Sequence, residues 1–379
     1  MKRVFVESHN VLSPLGDSTS ENFMQLKKGI SGVKLQERTE IDSIPICVSL
    51  VTDNQLNSFS PKDLVSQQYS RFERLLICSV HKALSQSSVD LKSNKTIFIF
   101  STTKGSVSLL EEEDFSPALK DRMTLHYSAK KVSTYFKNQH TPVVISNACI
   151  SGALALLHAK RLLENGIYEN AIVVGADTIS RFVFSGFKSF QALSVGRCKP
   201  FSEGRDGINL GEASSTIILS TQMKNGVFLS GGAVSNDSNH ISGPSRTGEE
   251  LSYAINKALK DAHISSREVD FVSAHGTATL YNDEMEAKAL NLSGLQNVPV
   301  NSLKGYYGHT LGAAGLLESA ISLQSIKENL IIPTAGFTTL GVSVPVNVCK
   351  ENIVKEINHF VKTASGFGGC NIALVFSKS

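Results

Sequence analysis

Three side chains in this chain have the types and settings that nucleophilic chemistry needs. Cys149 lies in the run Val143-Val144-Ile145-Ser146-Asn147-Ala148-Cys149-Ile150-Ser151-Gly152. A short β-branched stretch reads as a buried strand. Small residues then mark a tight turn, and an apolar helix follows, with Gly166 placed to end it. The thiol is therefore expected at a strand-to-helix junction. There the unpaired N–H groups and the helix dipole favour a thiolate, the form of cysteine that attacks carbonyls. The plain alternative is a buried cysteine acting as a small hydrophobe.

His275 ends a second apolar strand, Val269-Asp270-Phe271-Val272-Ser273-Ala274. His309 follows the strand-like Pro299-Val300-Asn301 and precedes the small residues Gly312 to Gly315. Sites in open α/β sheets gather at the carboxyl ends of strands. One cysteine and two histidines at three such ends form a catalytic pattern. The two histidines match no compact zinc spacing, so no metal is expected. Gly308, Gly312 and Gly315 come too late for a dinucleotide loop and have no acid after them at the required distance.

The elements that must carry these residues alternate between strand and helix, the pattern of an α/β layer fold. Two places look alike. Gly207 to Glu212 leads into the apolar Ser214–Ser220, and Gly366 to Cys370 leads into Ile372–Ser377. Each is a glycine turn entering a strand, which suggests two homologous halves, residues 1–222 with the cysteine and residues 223–379 with both histidines.

The chain has 379 residues, 41% of them hydrophobic, enough for two fused units. Its net charge of +3 is weak. No basic run with interleaved aromatics points to nucleic acid. No apolar run reaches the roughly 18 residues of a membrane span, and no signal peptide is expected. Six scattered cysteines read as reduced thiols of a cytoplasmic protein.

The residues resemble the β-ketoacyl-acyl carrier protein synthase family, the condensing enzymes of fatty-acid and polyketide synthesis. Seven motifs carry the resemblance in family order: Met1–Val6 with Val11–Gly16; Asn147–Gly152; Gly175–Asp177 with Ser180–Phe182; Lys199–Ser202, Arg205–Gly207 and Gly211–Ala213; His275–Thr277 with Asn282, Asp283 and Glu286; Lys304–Gly315; and Gly366–Gly369 with Asn371. The Cys-His-His set resembles the elongating branch. Cys370 stands where that branch usually carries Thr, and reads as a packing variation.

The resemblance implies a thiolase-like fold, with two mixed five-stranded sheets in a five-layer α-β-α-β-α stack. It implies an acyl-enzyme on Cys149, decarboxylation of malonyl-carrier aided by His275 and His309, and a β-ketoacyl product two carbons longer. An oxyanion hole is expected from the N–H of Cys149 and one in the Phe367-Gly368 loop. Lys304 is expected to pair with Glu286, with Asp283 as further support. Thr277 and Thr279 are expected to bind the pantetheine arm, Phe367 to gate the site, and Phe201 to contact substrate. No free cofactor is implied, since the partner acyl carrier protein brings its own phosphopantetheine.

The resemblance also implies a homodimer, with Ala171–Gly175 as candidate pairing strand. The chain is shorter than typical relatives between Gly105 and Pro142 and between Phe190 and Lys199. Gln67 and Gln68 stand where relatives carry basic docking residues, which makes Lys62, Arg71, Arg74, Lys130, Lys131 and Arg197 the substitutes. Two other readings stay open: a non-catalytic chain-length partner subunit, and a coenzyme A-dependent thiolase or acyltransferase.

Overall fold

The computed structural model describes residues 2–239 and 241–379. Numbering only the main sheet and the helices that cover it, the first unit runs β1 (Phe5–Leu12), α1 (Arg71–Leu84), β2 (Thr96–Ser101), β3 (Val143–Ile145), α2 (Ser151–Glu164), β4 (Asn170–Asp177) and β5 (Ala213–Ser220). The second runs β6 (Val227–Asn236), α3 (Glu249–Asp261), β7 (Phe271–Ser273), α4 (Leu280–Leu292), β8 (Val300–Asn301), α5 (Ala314–Glu328), β9 (His359–Gly366) and β10 (Cys370–Lys378).

The strands lie in the order β3-β2-β4-β5-β1 and β8-β7-β9-β10-β6. Adding five to each strand of the first unit gives the second. The senses match as well: β1–β5 and β5–β4 are antiparallel while β4–β2 and β2–β3 are parallel. In the second unit β6–β10 and β10–β9 are antiparallel while β9–β7 and β7–β8 are parallel. A single pairing, Phe5 with Phe228, joins the units into one ten-stranded sheet. The duplicated glycine turns of the sequence lead into β5 and β10, which hold the same place in the two units.

Strand periodicity explains the layers. In β2, Ile97 and Ile99 face the middle of the molecule while Phe98 and Phe100 face outward under α1. In the second unit, Phe271 and Phe360 face the middle while Val272 and Val361 face α3 and α4. Both faces of both sheets are therefore covered, which is why the strands are apolar on both sides. Helices α2 and α5 form the middle layer and pack on each other. The result is the five-layer α/β stack of the thiolase-like fold.

The strand Ala171–Gly175 is not an edge. It lies inside β4, flanked by β2 and β5 along its length. The open edge of the first unit is β3, whose three apolar residues are half-buried. The pairing strand expected for a homodimer is therefore misplaced. Both segments are short and β-branched, and only the pairing order separates edge from centre.

Among the described residues, no helix is long and apolar enough to cross a membrane, and all six cysteines are free thiols.

Candidate active site

Cys149 sits four residues after β3 ends. Ala148 before it takes a left-handed conformation, φ +43°, a strained setting for a residue with a side chain. The turn is tied by Asn147 N–H donating to Ser151 Oγ (2.8 Å) and by that hydroxyl donating to Ala148 O (2.6 Å). Helix α2 then starts at once and ends at Glu164, capped by Asn165, after which Gly166 turns left-handed at φ +71°. Its first turn lies against the start of α5. A Cβ on Gly152 would come within 2.8 Å of Leu316 N, and one on Gly315 within 2.9 Å of Ala153. Only glycine permits this approach, and it draws the cysteine of one unit toward the histidines of the other.

His275 follows β7. Its N–H and that of Gly276 donate to the two carboxylate oxygens of Glu286, at 2.8 and 2.7 Å. Asp283, one turn earlier on α4, accepts from Ala278 N–H (3.1 Å) and Phe201 N–H (2.7 Å). Arg205 lies 3.9 Å from the same carboxylate. Burial pushes Asp283 up to about 7. His309 is held by the first unit: its N–H donates to Asn209 O (2.7 Å), and Gly211 N–H donates to His309 O (3.0 Å). Asp177, at the end of β4, reaches across to accept from Gly312 N–H (2.7 Å) while also gripping Thr102 Oγ1 (2.6 Å).

The two imidazoles stand edge to face, with centroids 5.3 Å apart. The Cys149 sulfur and one nitrogen of each ring lie within 4.8 Å of one another. All three residues are buried and line a cavity of about 560 Å³, the usual size of a small-molecule site. Burial holds both histidines well below their usual range, and Lys304 adds to it. They are neutral at pH 7. Burial pushes the Cys149 thiol up to about 12. Burial works against the thiolate expected at the helix end, because desolvation disfavours the charged form of a buried sulfur.

Lys304 is fully buried, but its partner is Glu318 of α5. Glu286, the expected partner, is spent on the His275 turn and on Thr363 Oγ1, which donates to it at 2.6 Å. The other oxygen of Glu318 lies 2.8 Å from Lys362 of β9. The sequence reading did not single out Glu318, Lys362 or the bridging role of Asp177. The available signal was a lone charge inside an apolar run: Glu318 between Ala314 and Ile326, and Lys362 between Phe360 and Gly366.

The cavity wall also carries Thr277 and Thr279, whose hydroxyls meet at 2.9 Å, and the half-exposed Phe367. Phe367 stacks on Phe187 (5.8 Å) and meets Phe190 edge-on (5.3 Å). The Gly366 turn presses on Cys149, with a Cβ there 2.9 Å from the cysteine N. Gly368 N–H donates to Ile241 O (2.7 Å), so this amide is not free to serve an oxyanion. Phe201 is fully buried and packs beneath Gly276 instead of lining the cavity. Of the basic docking candidates, Arg71 is committed to Glu212 and Asp53, Arg74 to Asn57 and Lys131 to Glu73. Lys62, Lys130 and Arg197 form no ion pair among the described residues.

Comparison with known proteins completes the picture. Residues 1–225 match the family model of the β-ketoacyl synthase N-terminal domain, and residues 227–338 that of its C-terminal domain. The chain belongs to the β-ketoacyl synthase family. It is a condensing enzyme of the acyltransferase class. It is 28% identical to the 3-oxoacyl-[acyl-carrier-protein] synthase 2 of Staphylococcus aureus, covering 100% of this chain and 98% of that one. A ketosynthase of Xenorhabdus doucetiae, solved in complex with its chain length factor, superposes with TM-score 0.88 at 25% identity, over 100% of this chain and 98% of that one. A β-ketoacyl synthase of Burkholderia phymatum shares the fold with TM-score 0.89 at 23% identity, over 100% of both chains.

Proposed function

We propose that this synthase joins an acyl group on Cys149 to the two-carbon unit of a malonyl-carrier protein, releasing CO₂ and a β-ketoacyl-carrier. The observation that carries this reading is one thiol and two neutral imidazoles within 4.8 Å on one cavity wall.

In the first half-reaction the Cys149 sulfur attacks the thioester carbonyl of an acyl-carrier. The thiol is neutral, so its proton passes to an imidazole as the C–S bond forms. The departing pantetheine thiolate takes that proton, and the imidazole returns to its neutral form. In the second half-reaction malonyl-carrier loses its carboxylate as CO₂. The bonding electrons flow into an enolate, whose oxygen accepts N–H bonds from His275 and His309. The enolate carbon then attacks the acyl carbonyl. The bond to Cys149 breaks, and the departing thiolate takes a proton from solvent. Thr277 and Thr279 line the approach for the pantetheine amides, and Phe367 closes over it from its aromatic perch. Lys304, Glu286 and Asp283 hold the loops that carry the histidines.

The protein needs no cofactor of its own, since phosphopantetheine arrives on the acyl carrier protein. The free thiols suit the cytoplasm. A homodimer pairing through the open edge of β3 is the expected assembly. The Xenorhabdus relative, solved with its chain length factor, makes a second synthase-like subunit the other candidate. Fatty-acid synthesis and a specialised polyene or polyketide pathway both fit.

The test is product analysis with purified protein, an acyl-carrier and malonyl-carrier. A β-ketoacyl-carrier two carbons longer, with one CO₂ per product, is expected. Turnover of acetoacetyl-coenzyme A without any carrier would favour a thiolase instead. Activity appearing only with a second synthase-like chain, and surviving Cys149→Ala, would favour the non-catalytic partner.

A further inference from the structure

Lys362 lies beyond the region matched by the family models and has no role in the reaction as written above. It is fully buried on β9, in parallel register beside Ser273 of β7. Its ammonium donates to Ser273 O at 2.9 Å and Ala274 O at 3.1 Å and forms an ion pair with Glu318 at 2.8 Å. Those two carbonyls belong to the residues just before His275. The next residue, Thr363, points to the other face of the sheet and donates to Glu286, which holds the amides of His275 and Gly276. The His275 turn is thus gripped from both faces by consecutive residues of one strand.

A buried lysine costs free energy unless its charge is compensated. Packing gives no reason for one here. An aliphatic side chain would suit the apolar layer that receives Phe360 and Ala364 from the same face of β9. The charge does have a setting: Lys362 and Lys304 share Glu318, and Glu286 lies on the opposite side of the His275 turn. Two cations and two carboxylates therefore balance beneath His275 and His309.

We propose that Lys362 is a positioning residue for the decarboxylation half-reaction. It fixes the His275 turn and completes the charge balance under both imidazoles. The inference rests on the synthase reading above. Removing its charge leaves Glu318 and Glu286 facing Lys304 alone, with Asp283 further along α4. The His275 turn also loses the contacts to its Ser273 and Ala274 carbonyls, so the N–H that must meet the enolate oxygen moves off its line.

The experiment compares the parent with Lys362→Met in two assays: acylation of Cys149 by an acyl-carrier at pH 8, and CO₂ release from malonyl-carrier between pH 5.5 and 8. Expected are acylation within about threefold of the parent and CO₂ release slower by about 10- to 100-fold, the scale of a misplaced catalytic group. Equal loss in both assays would reduce Lys362 to a structural role and overturn the proposal, as would no loss in either. If Lys362→Met fails to fold, Thr363→Val, which loosens the grip from the other face, must give the same split with a smaller loss; no split there overturns the proposal. Absence of acylation in the parent itself would instead sink the synthase reading.

Discussion

The two five-stranded units have the same strand order and senses, yet they hold their reactive residues by different means. Around Cys149 the first unit uses close backbone packing: a left-handed Ala148, and Gly152 pressed against the start of α5. Around His275 the second unit uses buried charge: Glu286, Asp283, Lys304, Glu318 and Lys362, while His309 is tied to the first unit by backbone bonds. In the proposed reaction, the difference follows from what each site must do. A nucleophile needs a fixed direction of attack. Two imidazoles that must stay neutral beside a developing negative charge also need their electrostatic surroundings fixed.

The comparison breaks most visibly at Glu318. Glu318→Ala leaves two buried lysines without their shared carboxylate and should cost about 3–5 kcal/mol. Urea unfolding measures it, and a loss below about 1 kcal/mol would mean that this buried network behaves like a surface one. On the other side, Gly152→Ala adds one methyl where the backbone of α5 lies 2.8 Å away. It should cost about 1–3 kcal/mol and lower acylation of Cys149 more than decarboxylation. An unchanged midpoint would remove close packing from the account.

The cysteine and the two histidines should also answer to opposite ends of the pH scale. His275 and His309 are held well below 6.5 in the folded state. Below pH 6.5 the unfolded chain gains protons that the folded chain refuses, so stability falls as pH drops. Each histidine contributes about 1.4 kcal/mol per pH unit in that range. His309→Asn should flatten the slope by one proton. Cys149 is raised from 9.0 to about 12, so its contribution is lost as pH rises from 9 toward 12, and Cys149→Ala should flatten that limb. Unfolding midpoints from pH 5 to 10 test both, and a flat acid limb in the parent would contradict the neutral histidines.

Much of this was legible in the residues. Cys149, His275 and His309 stand at strand ends because β-branched runs stop just before them. The duplication could be read from two glycine turns entering apolar strands. What the sequence hid depends on pairing and burial. Ala171–Gly175 and Val143–Ile145 look alike as strings, and only the sheet order makes one central and the other an edge. Glu318 lies in a helix apolar all round, so nothing local marks it as the partner of Lys304, fourteen residues earlier. The thiol followed the same rule: a helix terminus is visible in sequence, whereas the depth of the sulfur is a property of all five layers. An oxyanion donor is expected in the Phe367-Gly368 loop, but Ile241, more than a hundred residues away in sequence, takes the N–H of Gly368.

The central claim is that Cys149 carries the acyl group between the two half-reactions. Intact-protein mass spectrometry after incubation with acyl-carrier thioesters tests it most directly, with the parent beside Cys149→Ala. The account predicts a gain of one acyl mass in the parent and none in the variant. An acyl adduct that persists in Cys149→Ala would place the nucleophile elsewhere and contradict it.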